Sequence, residues 1–173
     1  MAERGDGALP VLGVDVGGVI IDRVADGQDT SFFGDRPMET PAVDGAFDAL
    51  AELASKPFAG RVYIVSKAKL ETAHRTRDWL ARQDFADRTG IPAAHLHFVP
   101  ERPDKAPVCA RLGVTHFVDD RLDVLEHLTT VPHRYLFTGG LGHHRPPAEI
   151  PPWAIRADTW PELVELIRSS TPP

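Results

Sequence analysis

The sequence contains a single cysteine, Cys109, among 173 residues, which excludes an internal disulfide. No apolar stretch approaches the roughly 20 residues needed to cross a bilayer, so we expect no membrane span and no membrane partner. The first ten residues lack an apolar core followed by a small-residue cleavage site, so we also expect no secretory signal. A lone cysteine fits a reducing compartment, and these absences together favour the cytoplasm.

An excess of positive charge is also absent, because the formal net charge is −6. We therefore expect no general nucleic-acid binding, although a local basic pocket is compatible with this charge. Repeats and low-complexity tracts are missing too, and a hydrophobic fraction of 42% with 25% charged residues is typical of a globular protein. The length predicts one domain over residues 1–173, with flexible ends at 1–9 and 169–173.

Short apolar runs alternate with helical patterns along the chain. The first predicted strand begins at Val11 and ends at Asp15 in a glycine-lined turn. Predicted helices begin after Thr40, Lys69, Asp104, Asp120 and Thr159. This alternation predicts a Rossmann-like three-layer α/β/α sandwich with a mainly parallel sheet. The later predicted strands are Arg61–Val65, Leu96–Val99, Thr115–Val118, Arg134–Phe137 and Trp153–Ile155.

Polar residues follow four of the predicted strands, at the ends where the chain turns into the next element. They are Asp15, Ser66, Lys105 and the pair Asp119-Asp120. In open α/β sheets the ligand site lies beyond the carboxyl ends of the strands, so these side chains are expected to converge. Each aspartate taken alone also fits a turn or a helix cap. Lys105 stands in the first turn of a predicted helix, where the helix dipole disfavours a cation, so we expect an anion beside it.

The converging groups suit phosphate chemistry. Asp15 would repel the Asp119-Asp120 pair, whereas Mg²⁺ between them, together with Lys105 and an incoming phosphate, would balance the charges. A carboxylate can attack phosphorus as a nucleophile, and the Ser66 hydroxyl can hold a phosphate oxygen. The residues therefore favour magnesium-dependent phosphoryl chemistry.

With these four features in this order, nearly the whole chain resembles the haloacid dehalogenase superfamily. The resemblance implies that Asp15 is the nucleophile and that Ser66 and Lys105 hold the phosphoryl group, with Lys105 also steadying Asp15. It further implies that Mg²⁺ is bound by Asp15, the Asp119 side chain and the Gly17 carbonyl.

The resemblance gives supporting roles to the neighbours of these residues. Asp120 would support the metal, and Gly17, Gly18 and Lys67 would join the substrate-binding set. The expected ligand is a phosphorylated small molecule or an exposed phosphate on a larger substrate.

Two departures from the superfamily pattern qualify that function. Phosphatases of the superfamily usually carry an acid/base aspartate two residues after the nucleophile, where this chain has Gly17. Loss of a general acid typically costs about 10²- to 10⁴-fold in rate. The sequence therefore predicts either a hydrolase or transferase with atypical acid/base chemistry, or a weak or inactive relative that binds a phosphorylated ligand or a protein partner.

The second departure is the lack of room for a cap domain. Residues 22–40 are expected to form only a loop or flap over the site. By resemblance, such capless proteins act on large or exposed substrates or cover the site by forming homo-oligomers. The flap offers possible substrate contacts at Arg23, Asp26, Asp29, Asp35 and Arg36.

Other interpretations of the motifs are weaker. The Gly13–Gly18 stretch also resembles a phosphate loop of actin-like sugar kinases, but those need two such domains. Response-regulator receivers resemble the chain in their acidic site, but their residues come in the reverse order. His143-His144 would make a transition-metal site only with a third ligand, or one of them could replace the missing acid. Cys109 is expected to be a core residue.

Overall fold

The structure, a computed structural model, describes residues 7–22, 37–140 and 147–171. Six parallel strands form one sheet in the order β3-β2-β1-β4-β5-β6, which confirms the predicted Rossmann-like α/β class. The strands are β1 (Leu12–Val14), β2 (Val62–Lys67), β3 (Leu96–Val99), β4 (His116–Asp119), β5 (His133–Phe137) and β6 (Ala154–Ala157).

Helices cover both faces of this sheet. They are α1 (Ala46–Ser55), α2 (Leu70–Arg82), α3 (Phe85–Thr89), α4 (Lys105–Leu112), α5 (Leu122–Leu125) and α6 (Trp160–Ser169). Buried side chains of α1, α2, α3 and α6 form one apolar cluster with the sheet, and those of α4 and α5 form a second on the opposite face. The central strands β1 and β4 are thus buried along their whole length, which explains their mostly apolar sequences, whereas Ile155 of the edge strand β6 is exposed.

The first helix begins later than its sequence predicts. Thr40-Pro41 was expected to open a helix reaching Pro57, but α1 starts at Ala46 after Gly45, which has a φ of 76°. The preceding residues pair instead with the chain after β1, since Asp22 N donates to Pro41 O (2.9 Å) and Val43 N to Ile20 O (2.8 Å). Tertiary pairing therefore overrides the local capping signal, which makes this prediction wrong.

The helices around β3 and the C-terminus show further differences. A short helix, α3, lies at Phe85–Thr89 before β3 and was not predicted from the sequence. Leu70, the first residue of α2, is 77% exposed. Thr159 does cap α6, accepting from Glu162 N at 3.2 Å, as predicted.

Parts of the predicted flap and ends are described. Residues 37–39 form a 3-10 helix, whereas Arg23, Asp26, Asp29, Asp35 and Arg36 lie outside the described residues. Ser169 ends α6, and the Ser170 hydroxyl lies 2.6 Å from Tyr135 Oη. None of the helices in the described ranges is long and apolar enough to span a membrane.

Candidate active site

The order in which the chain adds strands to the sheet reverses at β1. The chain runs from β1 outward through β2 and β3, then returns to the other side of β1 with β4 and continues to β5 and β6. Ligands of open α/β sheets bind at such a switch point, beyond the carboxyl ends of the two central strands. Here those ends carry Asp15, directly after β1, and Asp119, the last residue of β4. Asp15 N donates to Val118 O at 3.0 Å, so the two aspartates lie side by side.

Lys105 joins the two aspartates. Its side chain is 2% exposed, and Nζ lies 2.9 Å from Asp15 Oδ1 and 2.9 Å from Asp119 Oδ2. Lys105 can reach them because it opens α4, directly after a 3-10 helix at Arg102–Asp104. The dipole penalty at this position is offset by two anions, which are the kind of partner that the sequence predicts.

A third carboxylate, Asp120, lies beside this pair. One oxygen from each of Asp15, Asp119 and Asp120 falls within 4.8 Å of the others. Asp15 and Asp119 share the single Lys105 ammonium, so these three buried groups carry a formal charge of −1. Carboxylate oxygens are the ligands that hard divalent cations such as Mg²⁺ prefer. The residues present therefore fit Mg²⁺ in both donor type and charge.

The protonation equilibria of the cluster reflect this surplus of negative charge. Burial and the neighbouring charge of Asp15 raise the pKa of Asp119 well above its usual range, and Lys105 opposes that rise only in part. Burial alone would lower the pKa of Lys105, but Asp119 and Asp15 outweigh burial and raise it. Lys105 is thus a permanent cation, and the carboxylates would gain from a second positive charge.

Arg121 contributes through its backbone, a role that the sequence analysis missed. Its N–H donates to Asp119 Oδ1 at 3.0 Å, so both oxygens of this fully buried carboxylate are engaged. The Arg121 guanidinium turns away and forms two hydrogen bonds with Asp123, at 2.9 and 2.7 Å. A backbone donor leaves no signal in residue type, so the sequence gives no indication of this role.

Ser66 and Lys67 end β2, one strand away from Asp15. They pair through the backbone with Phe98 and Val99 of β3, so their position at the carboxyl edge of the sheet is fixed. Ser66 is buried and Lys67 is half-buried. Among the described residues, neither side chain has a hydrogen bond to the Asp15–Lys105–Asp119 cluster. The structure thus brings them to the same edge without direct contact.

The Val16–Ile21 turn is closed by its own backbone. The amides of Val19, Ile20 and Ile21 all donate to Val16 O, at 3.1, 2.8 and 3.1 Å. Gly18 has a φ of 76°, which favours glycine, and its amide donates to Ile21 O at 2.8 Å. Because that amide is occupied, a substrate contact at Gly18 would have to use another backbone group.

Two other candidate groups lie apart from the cluster or outside the described residues. Burial raises the pKa of the Cys109 thiol to about 12, which suits a core residue and not a nucleophile. His143 and His144, considered for a metal site or as a substitute acid, fall outside the described residues.

Similarity to known proteins is found in the structure of this chain and not in its sequence. No family model and no curated protein matches the sequence. A protein from Burkholderia xenovorans LB400, assigned as a haloacid dehalogenase-like hydrolase, superposes with a TM-score of 0.62 at 14% identity, covering 92% of this chain and 96% of its own. An uncharacterized protein from Listeria monocytogenes serotype 4b has a TM-score of 0.61 at 13% identity, with coverages of 93% and 98%. The chain therefore has a haloacid dehalogenase-like fold.

Proposed function

We propose that the chain is a magnesium-dependent hydrolase or transferase that moves a phosphoryl group through an aspartyl intermediate on Asp15. The observation that carries this proposal is the buried contact of Lys105 with Asp15 and Asp119 at the switch point of the sheet, 2.9 Å each. Uncompensated buried charge is costly, so two buried carboxylates that share one ammonium favour a cationic ligand.

Mg²⁺ would be held by Asp15, Asp119 and Asp120, together with the Gly17 carbonyl implied by the resemblance. When bound, it would supply positive charge to the phosphoryl oxygens. Asp119 is the anchor of this set, because Lys105 and the Arg121 amide fix both of its oxygens.

Asp15 would attack phosphorus directly. Lys105 donates to Oδ1, which orients the carboxylate and leaves Oδ2 as the attacking atom. The bond from phosphorus to the leaving oxygen breaks as the bond to Asp15 Oδ2 forms, and water or another acceptor then removes the phosphoryl group. Ser66 and Lys67 would contact the phosphoryl oxygens from the adjacent strand.

Position 17 limits the substrates. With glycine where the acid/base aspartate is expected, the leaving oxygen has no proton donor from this turn, so esters and anhydrides with good leaving groups would react fastest. The ligand would be a phosphorylated small molecule or an exposed phosphate on a larger substrate, which a capless site would admit. A homo-oligomer would be one means of covering that site.

A second candidate function rests on the same glycine. A protein that retains the charged cluster but lacks the acid could bind a phosphorylated ligand or a protein partner without turnover. In that case Mg²⁺ and phosphate would stabilise the protein, but no ester would be cleaved.

Turnover assays on wild type and Asp15→Asn distinguish the two candidates. The substrates should include phosphate esters, acyl phosphates, phosphonates and haloacids, with and without Mg²⁺. We expect magnesium-dependent release of phosphate by wild type alone. Equal turnover by the two proteins would overturn the nucleophile assignment, and ligand binding without turnover would support the second candidate.

A further inference from the structure

The turn that follows Asp15 is packed against a glycine from the other half of the sheet. Gly140 comes after β5, and a Cβ built on it would lie 2.6 Å from the Gly18 carbonyl oxygen and 3.1 Å from Gly18 Cα. Real Cβ atoms do not approach other atoms this closely, so only glycine permits this contact without a shift of the turn. The two backbones thus touch directly beside Gly17.

The same turn has a second external contact. The Trp160 indole of α6 is fully buried and donates from Nε1 to Val19 O at 2.9 Å. Val19 follows Gly18, so Gly140 packs against one residue of the turn and Trp160 bonds the next. All the other hydrogen bonds of residues 18–21 named above stay within the turn or join it to residue 43.

We propose that Gly140 and Trp160 are positioning residues that hold the Asp15–Gly18 backbone in the geometry needed for ligand binding. This inference rests on the proposed function, because the backbone they fix carries Asp15 and the Gly17 carbonyl. Neither residue touches the reacting atoms. The loop after β5 and helix α6 thus support the site, although neither of them supplies a residue to the charged cluster.

Gly139 provides a matched control for Gly140. A Cβ on Gly139 would collide with the Asp158 carbonyl oxygen and the Phe137 ring, which belong to β5, β6 and their ends and not to the Asp15 turn. Ala substitution at either glycine therefore adds the same methyl group to a tight backbone contact. Only Gly140→Ala would press on Gly18.

Amide hydrogen exchange followed by NMR, without metal, tests the positioning role independently of activity. We expect Gly140→Ala to speed exchange of the amides of residues 18–21 about tenfold or more. Gly139→Ala should speed it less, because it reaches the turn only through the Phe137 ring, which packs against Trp160. Equal exchange rates in the two variants, or wild-type rates in Gly140→Ala, would overturn the inference.

Trp160→Phe gives a second variant if Gly140→Ala does not fold. It keeps an aromatic ring but removes the donor to Val19 O, and we expect the same local loss of protection. Trp79→Phe is its control, because Trp79 is also fully buried and donates from Nε1 to Thr40 O at 2.8 Å, outside the turn. Faster exchange at residues 18–21 in Trp79→Phe than in Trp160→Phe would contradict the assignment.

Magnesium titration tests whether the packing of Gly140 against the turn affects metal binding. In Gly140→Ala we expect the Kd for Mg²⁺ to rise about tenfold, with a smaller rise in Gly139→Ala. Absence of Mg²⁺ binding in wild type would contradict the proposed function alone, since the exchange experiment needs no metal. A wild-type Kd in Gly140→Ala would contradict the positioning role alone.

Discussion

Two buried polar residues of β4, three positions apart, lie in opposite electrostatic surroundings. Asp119, at the carboxyl end, is fully buried against Lys105 and beside two other carboxylates. His116, at the amino end, is 3% exposed and contacts only uncharged hydroxyl groups through its ring nitrogens. The strand is therefore charged at one end and neutral at the other.

The neutral end satisfies its own hydrogen bonds. Ser170 Oγ donates to Ile167 O at 2.8 Å, so it accepts from Tyr135 Oη (2.6 Å) and from His116 Nε2 (3.1 Å). His116 Nδ1 lies 2.7 Å from Thr115 Oγ1, which also lies 3.1 Å from Val11 O. No external ligand is needed to complete the network.

The charged end does not balance its own charge, because the buried Lys105 is shared by two buried carboxylates, Asp15 and Asp119. Buried charge imbalance costs stability unless a ligand compensates for it, so proteins retain it mainly where function requires it. The contrast along β4 thus favours the carboxyl end as the functional end, as proposed above, and the amino end as structural.

Removing the lysine should have the largest effect. Lys105→Met keeps much of the side-chain length but leaves Asp15 and Asp119 buried without their cation. We expect a loss of about 3–5 kcal/mol in the free energy of unfolding. Excess Mg²⁺ should restore part of that loss, because it replaces the missing charge. Urea unfolding with and without Mg²⁺ measures both effects, and a loss below 1 kcal/mol would show that the cluster is not under electrostatic strain.

Acid should destabilise the neutral end. Burial and the stacked His133 ring lower the pKa of His116 from 6.5 to about 4. Between these two pH values the unfolded chain binds a proton that the folded protein does not, so this contribution to stability is present above pH 6.5 and is lost as the pH falls toward 4.

The expected loss from His116 is about 2 kcal/mol. Urea unfolding of wild type and His116→Gln at pH 7 and pH 4.5 isolates it, because the other titrating groups are shared. Identical pH dependence in the two proteins would contradict the account of the neutral end.

Restoring an acid at the charged end should change substrate preference. Gly17 does not have a positive φ, so an L-residue fits its backbone conformation, unlike that of Gly18. In Gly17→Asp we expect turnover of alkyl phosphates to rise about tenfold relative to acyl phosphates, because poor leaving groups depend most on a proton donor. Competition assays with the two substrate classes measure this ratio, and an unchanged ratio would contradict the assignment of position 17.

The smallest effect should come from one hydroxyl of the neutral network. Tyr135→Phe removes the donor to Ser170 Oγ and should cost about 1 kcal/mol. The Kd for Mg²⁺ should stay at its wild-type value, since the change is at the opposite end of the sheet. Calorimetric titration checks this separation of the two ends, and a changed Kd would show that they are coupled.

Of the two ends of β4, only the charged end could be predicted from the sequence. Asp15, Lys105 and Asp119 each stand at the boundary of a short apolar or helical pattern, and parallel topology brings such boundaries to one edge. The fold class followed from the alternation of patterns. The start of α1 did not, because the pairing of residues 41–43 with 20–22 outweighs the Thr40-Pro41 signal.

The neutral end and the supports of the Asp15 turn could not be predicted from the sequence. His116 was simply part of an apolar run, and its partner Ser170 was assigned to a flexible end. Gly140 and Trp160 contact Gly18 and Val19, which are distant from them in the chain, and the Arg121 amide is a backbone donor that residue type does not reveal. Such contacts depend on tertiary packing, which local pattern and residue type do not encode.

Thermal unfolding with Mg²⁺ and beryllium fluoride, a mimic of a phosphoryl group, tests the central claim that Asp15 is a metal-linked nucleophile. We expect the Tm of wild type to rise by several degrees only when both ligands are present, because they bind the native state alone. Asp15→Asn should show no such rise. An equal rise in both proteins, or none in wild type, would contradict the account.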